Sequence, residues 1–103
     1  MKKIREQDIV KQILQYCELK RIFAYRQNSG AFKTESGGFY RMAVAGAPDI
    51  ICVKNGKYVG VEVKAPQGGK QSENQKEFQK NLEEAGGNYI LAYGIDDVMN
   101  YHL

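Results

Sequence analysis

The chain has 103 residues, of which 43% are hydrophobic and 26% charged, with a formal net charge of +3. That balance suits one ordinary globular domain with a modest core, and it excludes a disordered polyelectrolyte. No apolar run is long enough to cross a bilayer, and no signal-peptide pattern is read at the start, so a cytoplasmic protein is expected.

Taken in chain order, residues 4–19 read as a helix. Ile9, Ile13 and Tyr16 recur at helical spacing, and Val10, Leu14 and Cys17 widen the apolar stripe. Ile22 to Arg26 reads as a short strand. Gln27 to Gly38 is polar and rich in Gly and Ser, which predicts a flexible loop. Phe39 to Val44 is a second short element, followed by Gly46-Ala47-Pro48.

Asp49 to Lys54 and Lys57 to Lys64 are runs rich in β-branched residues, separated by Asn55-Gly56, a strong hairpin signal. Ile50, Cys52, Val59, Val61 and Val63 share one face of the hairpin. Ile51, Val53 and Tyr58 lie on the other, so the hairpin belongs in the middle of a covered sheet. Pro66 ends the second strand and Gln67-Gly68-Gly69 makes a loop.

Ser72 followed three residues later by Gln75 is a capping box, so a helix starts there. Phe78, Leu82 and Ala85 mark its buried face, and Gly86-Gly87 stops it. Asn88 to Tyr93 is a further strand, and Asp96 to Tyr101 a last helical turn. The order αβ(β)ββαβ predicts an α/β fold, a mixed sheet flanked by helices.

Charge is unevenly placed. Residues 1–41 carry nine Lys/Arg against four Asp/Glu, whereas the remainder carries six against eight. A basic first half suits a polyanion, although a solvated surface explains it as well. Cys17 and Cys52 lie in apolar-periodic segments with no CxxC partner and are expected to be reduced core residues. His102 is the sole histidine, which argues against zinc.

The chemistry converges at the hairpin. A two-residue turn pairs Lys54 with Lys57, and counting outward sets Asp49 opposite Glu62, with Lys64 on the same face. Directly opposed residues carry their Cβ atoms about 4.5–5.5 Å apart. Two close carboxylates repel unless a cation lies between them. Mg²⁺ takes one or two carboxylates together with water and substrate phosphate, and a lysine on a rigid strand can neutralise charge developing on a phosphate. The plain alternative is an acid at a strand start and a Glu–Lys ion pair at a strand end. Glu6, one turn ahead of Ile9 and Val10, is either a third metal ligand or an acid suited to the helix dipole. Gln75 can reach the reacting water, the lysine or a phosphate, or serve the cap, or both. Asn28, Lys33 and Arg41 are candidates for phosphate contacts. Tyr25, Phe39 and Tyr40 are candidates for base stacking, with core packing the weightier reading.

Gly46-Ala47-Pro48-Asp49, twelve residues, Glu62-Val63-Lys64 and then Gln75 on a helix resembles the PD-(D/E)xK nuclease signature. With Glu6 in the first helix, Asn28-Ser29-Gly30 and Ser72-x-x-Gln75, the chain is similar from about residue 5 to 95 to the VRR-NUC domains. These occur as stand-alone phage and bacterial proteins and as the nuclease module of a eukaryotic DNA-repair enzyme. The resemblance implies a restriction-endonuclease-like αβββαβ core and Mg²⁺- or Mn²⁺-dependent DNA cleavage in a bacterial or phage-infected cell. By position it implies Asp49, Glu62 and the Val63 carbonyl as metal ligands and Lys64 as catalytic, with Gln75 and Glu6 completing the site. Small stand-alone members are similar to Holliday junction resolvases, which implies a homodimer acting on branched DNA. An apolar face on the last strand or terminal helix is the expected dimer surface.

Overall fold

The computed structural model describes residues 3–27, 31–33, 39–41, 44–101 and 103. Helix α1 spans Glu6–Leu19 and ends where Arg21 takes a positive φ of 59° and Ile22 N–H donates to the Cys17 carbonyl at 2.8 Å. Strand β1 (Phe23–Arg26) follows, then β2 (Ala31–Lys33), β3 (Phe39–Arg41), β4 (Ile50–Lys54) and β5 (Lys57–Val63). Helix α2 (Glu73–Glu84), strand β6 (Asn88–Ala92) and helix α3 (Ile95–Asn100) complete the order. No described helix is long and apolar enough to cross a membrane.

Four strands form a mixed sheet in the order β1-β4-β5-β6, with β1/β4 and β4/β5 antiparallel and β5/β6 parallel. The fold is therefore α/β, a four-stranded mixed sheet flanked by helices, with the hairpin in its interior. Asn55 (φ 53°) and Gly56 (φ 78°) both take the left-handed conformation that a tight two-residue turn needs. This turn sets the register, Lys54 against Lys57 through Ile50 against Val61, as the sequence predicts.

One face of the sheet carries the hydrophobic core. Ile9, Val10, Ile13 and Cys17 of α1, together with Val98 and Leu103, lie on Ile50, Cys52, Val59, Val61, Val63, Ile90 and Ala92. Each such side chain contributes about 1.5–3 kcal/mol by leaving water. Both cysteines are buried and free, Sγ to Sγ 4.0 Å apart, as expected of reduced core residues.

Three expectations need correction. Residues 31–33, placed in a loop by their Gly- and Ser-rich surroundings, form β2, which pairs antiparallel with β3. Ala and Lys are poor strand formers, so the pairing centres on Phe32 opposite Tyr40, an aromatic cross-strand register. The second face of the sheet is covered only in part: Phe23, Tyr25 and Val53 are exposed there. Helix α2 lies on that second face against edge strand β6. It buries no residue fully, with Phe78 and Leu82 half-buried and Ala85 exposed.

Candidate metal and catalytic site

The acid-bearing end of the hairpin is built by the failure of its own ladder. Pairing stops at Ile50–Val61. Two residues further, the count would set Pro48 opposite Val63, and proline has no N–H to give. Val63 N–H instead donates to Asp49 Oδ2 at 2.8 Å. A strand residue's N–H and C=O project to the same side. The Val63 carbonyl therefore faces the side of Asp49, where Pro48 has no N–H to offer it. Asp49 is held from the other side as well, its carbonyl accepting from Gln27 N–H at 2.7 Å.

Glu62 stands on the second face beside Asp49, and at 3% exposure it is the one charged side chain buried among the described residues. Burial pushes its carboxyl up to about 8. The negative charge of Asp49 and the hydrogen bond that a protonated Glu62 gives it add to the rise. Lys64 opposes it, and Glu6 adds a smaller increment. Glu62 Oε1 has no hydrogen-bond partner among the described residues. Lys64 Nζ lies 3.8 Å from Glu62 Oε2, with its side chain 15% exposed. The structure thus brings together Asp49, Glu62, Lys64 and the Val63 backbone.

These groups fit a hard divalent cation. A buried, unpartnered carboxylate oxygen beside a second carboxylate leaves an excess of negative charge in a poorly hydrated place, which either a proton or a cation relieves. Among the described residues no three His, Cys, Asp or Glu side chains converge on one point. Two carboxylates and a carbonyl are an open donor set, suited to Mg²⁺ or Mn²⁺ completed by water and phosphate rather than to an all-protein cage.

The other sequence candidates fall at varying distance from this centre. Glu6 is exposed in the first turn of α1; its charge reaches Glu62, but it is not part of a three-acid group. Gln75 is tied to the helix start, its Oε1 accepting from Ser72 N–H at 2.8 Å while Ser72 Oγ accepts from Gln75 N–H at 3.2 Å. The capping box is real, and it leaves the Gln75 Nε2 free among the described residues. Asn28 lies outside the described residues, as do the side chains of Lys33, Phe39, Tyr40 and Arg41.

A loop locks the two halves of the site. Gly46 (φ 79°) presses against the first turn of α2, where a Cβ would collide with the Asn74 carbonyl. Pro48 then lies on Gly60, leaving 2.7 Å between its Cγ and the position a Cβ would take. Sequence reasoning missed a polar cluster beside the acids. Gln71 Nε2 donates to Gln79 Oε1 at 2.9 Å and to the Tyr89 hydroxyl at 3.1 Å. Burial pushes the Tyr89 phenol up to about 12; the Gln71 hydrogen bond lowers it, while Glu62 and Asp49 add to the rise. Strand alternation was the available signal, since it places Tyr89 and Leu91 on the face of Glu62.

No protein-family model matches the chain, and no curated protein matches it.

Proposed function

We propose that this chain is a metal-dependent DNA endonuclease of the PD-(D/E)xK type, with a restriction-endonuclease-like core and the motif order of VRR-NUC domains. One observation carries the reading: two carboxylates from adjacent strand ends lie side by side, one of them buried with its Oε1 unpartnered among the described residues and a lysine ammonium 3.8 Å from its Oε2. The αβββαβ order of the four-stranded sheet supports it.

Asp49, Glu62 and the Val63 carbonyl would hold Mg²⁺ or Mn²⁺. When bound, such an ion supplies Lewis acidity toward a phosphate and toward water. Lys64, directly after β5 and tied by its N–H to the Ala92 carbonyl at 2.9 Å, holds its ammonium where it can offset charge gathering on the phosphate oxygens in the transition state. Val63 N–H fixes the Asp49 carboxylate, so little reorganisation is left to the reaction. Gln75 Nε2, at the first turn of α2, is available to a phosphate or to the attacking water. Branched DNA is the proposed substrate, with two copies acting together, because resolving a four-way junction takes two cuts and one chain carries one such site.

The test is a panel of four-way junction, flap, nicked and linear substrates of one sequence. Cutting should require Mg²⁺ or Mn²⁺ and cease in EDTA. Lys64→Ala should lower the rate by at least about 100-fold, in the range of a lost transition-state charge contact, with junction binding nearly intact. Metal-independent binding with no cutting of any substrate would instead make the chain a nucleic-acid-binding domain.

A further inference from the structure

The half-open face of the sheet carries an aromatic surface that the proposed chemistry does not use. Edge strand β1 presents Phe23 at 66% and Tyr25 at 47% exposure, and the register continues the surface inward through Val53, itself 40% exposed, to the half-buried Tyr58. The Phe23 and Tyr25 rings lie with centroids 5.9 Å apart and planes tilted at 59°. Large apolar side chains left in water on an edge strand are a liability that proteins ordinarily avoid.

Two features say what covers them. The first is position. Tyr25 and Phe23 share the face of Glu62, and Tyr25 stands two residues before Gln27, whose N–H is bonded to the Asp49 carbonyl. That is about 7 Å along the strand, with Glu62 two strands across at about 4.8 Å each. The second is charge. Exposed Arg21 precedes β1; Arg26 ends it but alternates to the opposite face, and Lys20 stands over the Tyr16 ring at 5.9 Å. A nucleic-acid strand brings base faces to the rings and a phosphate to Arg21.

We infer that Phe23 and Tyr25 form a stacking platform for unpaired bases of a DNA strand whose backbone runs on to the Asp49–Glu62 site. This inference rests on the nuclease reading and sharpens its substrate, which becomes DNA with unstacked bases close to the cleaved bond rather than continuous duplex. Stacking tolerates any base, because every base offers a π face, and Arg21 adds a salt-dependent grip on phosphate.

Fluorescence anisotropy in EDTA tests it, using a labelled blunt duplex, the same duplex with a single-stranded arm, and the free single strand. A Phe23→Thr/Tyr25→Thr variant keeps strand propensity, and urea unfolding checks that it folds. The variant should bind the armed and single-stranded probes about 10-fold or more weaker, as for the loss of a base–aromatic stack, and the blunt duplex as wild type does. Tyr25→Phe should retain binding, since a ring suffices. Unchanged affinity for the single strand would overturn the platform. So would a variant that changes only the sedimentation behaviour of the protein, which would make this face a contact between copies. The two proposals fail separately. The probe contrast without cutting of any substrate in Mg²⁺ or Mn²⁺ upholds the platform and sinks the nuclease. Cutting without the contrast sinks the platform alone.

Discussion

Asp49 Oδ2 accepts the Val63 N–H at 2.8 Å, so a single carboxylate replaces the next rung of the β4–β5 ladder and stands beside Glu62. The hydrogen bond and the negative charge are separable by mutation. Asn keeps an acceptor for Val63 N–H and removes the charge, whereas Ala removes both. In thermal unfolding without metal at pH 8, Asp49→Asn should be at least as stable as wild type, because it relieves the repulsion of Glu62. Asp49→Ala should lose about 1–3 kcal/mol by leaving a part-buried donor unpaired. Neither variant should be stabilised by Mg²⁺. Equal destabilisation of both would mean that the charge, not the hydrogen bond, holds the strand end.

Glu62 makes the metal-free protein sensitive to pH. Its carboxyl lies at about 8 in the folded chain against 4.5 unperturbed, chiefly through burial. Between these values the folded state binds more protons than the unfolded state, so stability falls as pH rises. The contribution is whole below about 4.5 and is lost as pH passes through about 8, a difference of a few kcal/mol. Urea titrations from pH 5 to 9 should show wild type weakening relative to Glu62→Gln, which carries no charge to lose. A cation replaces the proton, so Mg²⁺ should raise the wild-type melting temperature more at pH 8.5 than at pH 6. A flat difference between the two proteins across this range would contradict the burial of the charge.

The loop ahead of Asp49 is predicted to be rigid because Gly46 has no room for a side chain. Gly46→Ala meets both the Asn74 carbonyl and a φ of 79°, a conformation that costs an L residue about 1–2 kcal/mol before any collision. Destabilisation of about 2 kcal/mol or more is expected in urea. Hydrogen exchange should quicken at the first turn of α2, the element that Gly46 presses upon. Gly56→Ala, also at positive φ but with open space around its Cβ position, serves as the control and should show the local strain without the change at α2.

The hairpin and its acid pair were legible because a turn with two positive-φ residues fixes register, and register fixes which side chains face each other. Lys64 and the core face followed from the same alternation. What could not be read was what lies over the second face. Alternation tells which residues point there but not how far a short helix reaches. Phe78 and Leu82 thus read as buried, although among the described elements α2 packs chiefly against β6. The sequence reads Tyr25 toward the core, yet it stands half in water because β1 is the sheet edge. Strand alternation puts Tyr89 on the face of Glu62, but no spacing in the sequence announces that Gln71 and Gln79 meet it there. β2 was hidden by its flanks, since three residues are too few for a periodic signal.

Gln75 tests whether one side chain serves both fold and chemistry. Its Oε1 closes the capping box on Ser72 N–H, and its Nε2 remains free among the described residues. Gln75→Glu keeps an acceptor of the same length and suits the first turn of a helix, so stability should match wild type. Gln75→Ala should lose about 0.3–1.5 kcal/mol, as for a helix-terminal contact. If Nε2 meets the phosphate or the attacking water, Glu replaces a donor with a negative charge and the cutting rate should fall with stability unchanged. Single-turnover cleavage by Gln75→Glu beside its urea midpoint decides the matter. Loss of rate at constant midpoint places the amide in the reaction. Wild-type rate would confine Gln75 to the cap and leave Asp49, Glu62 and Lys64 as the whole of the chemistry on this face.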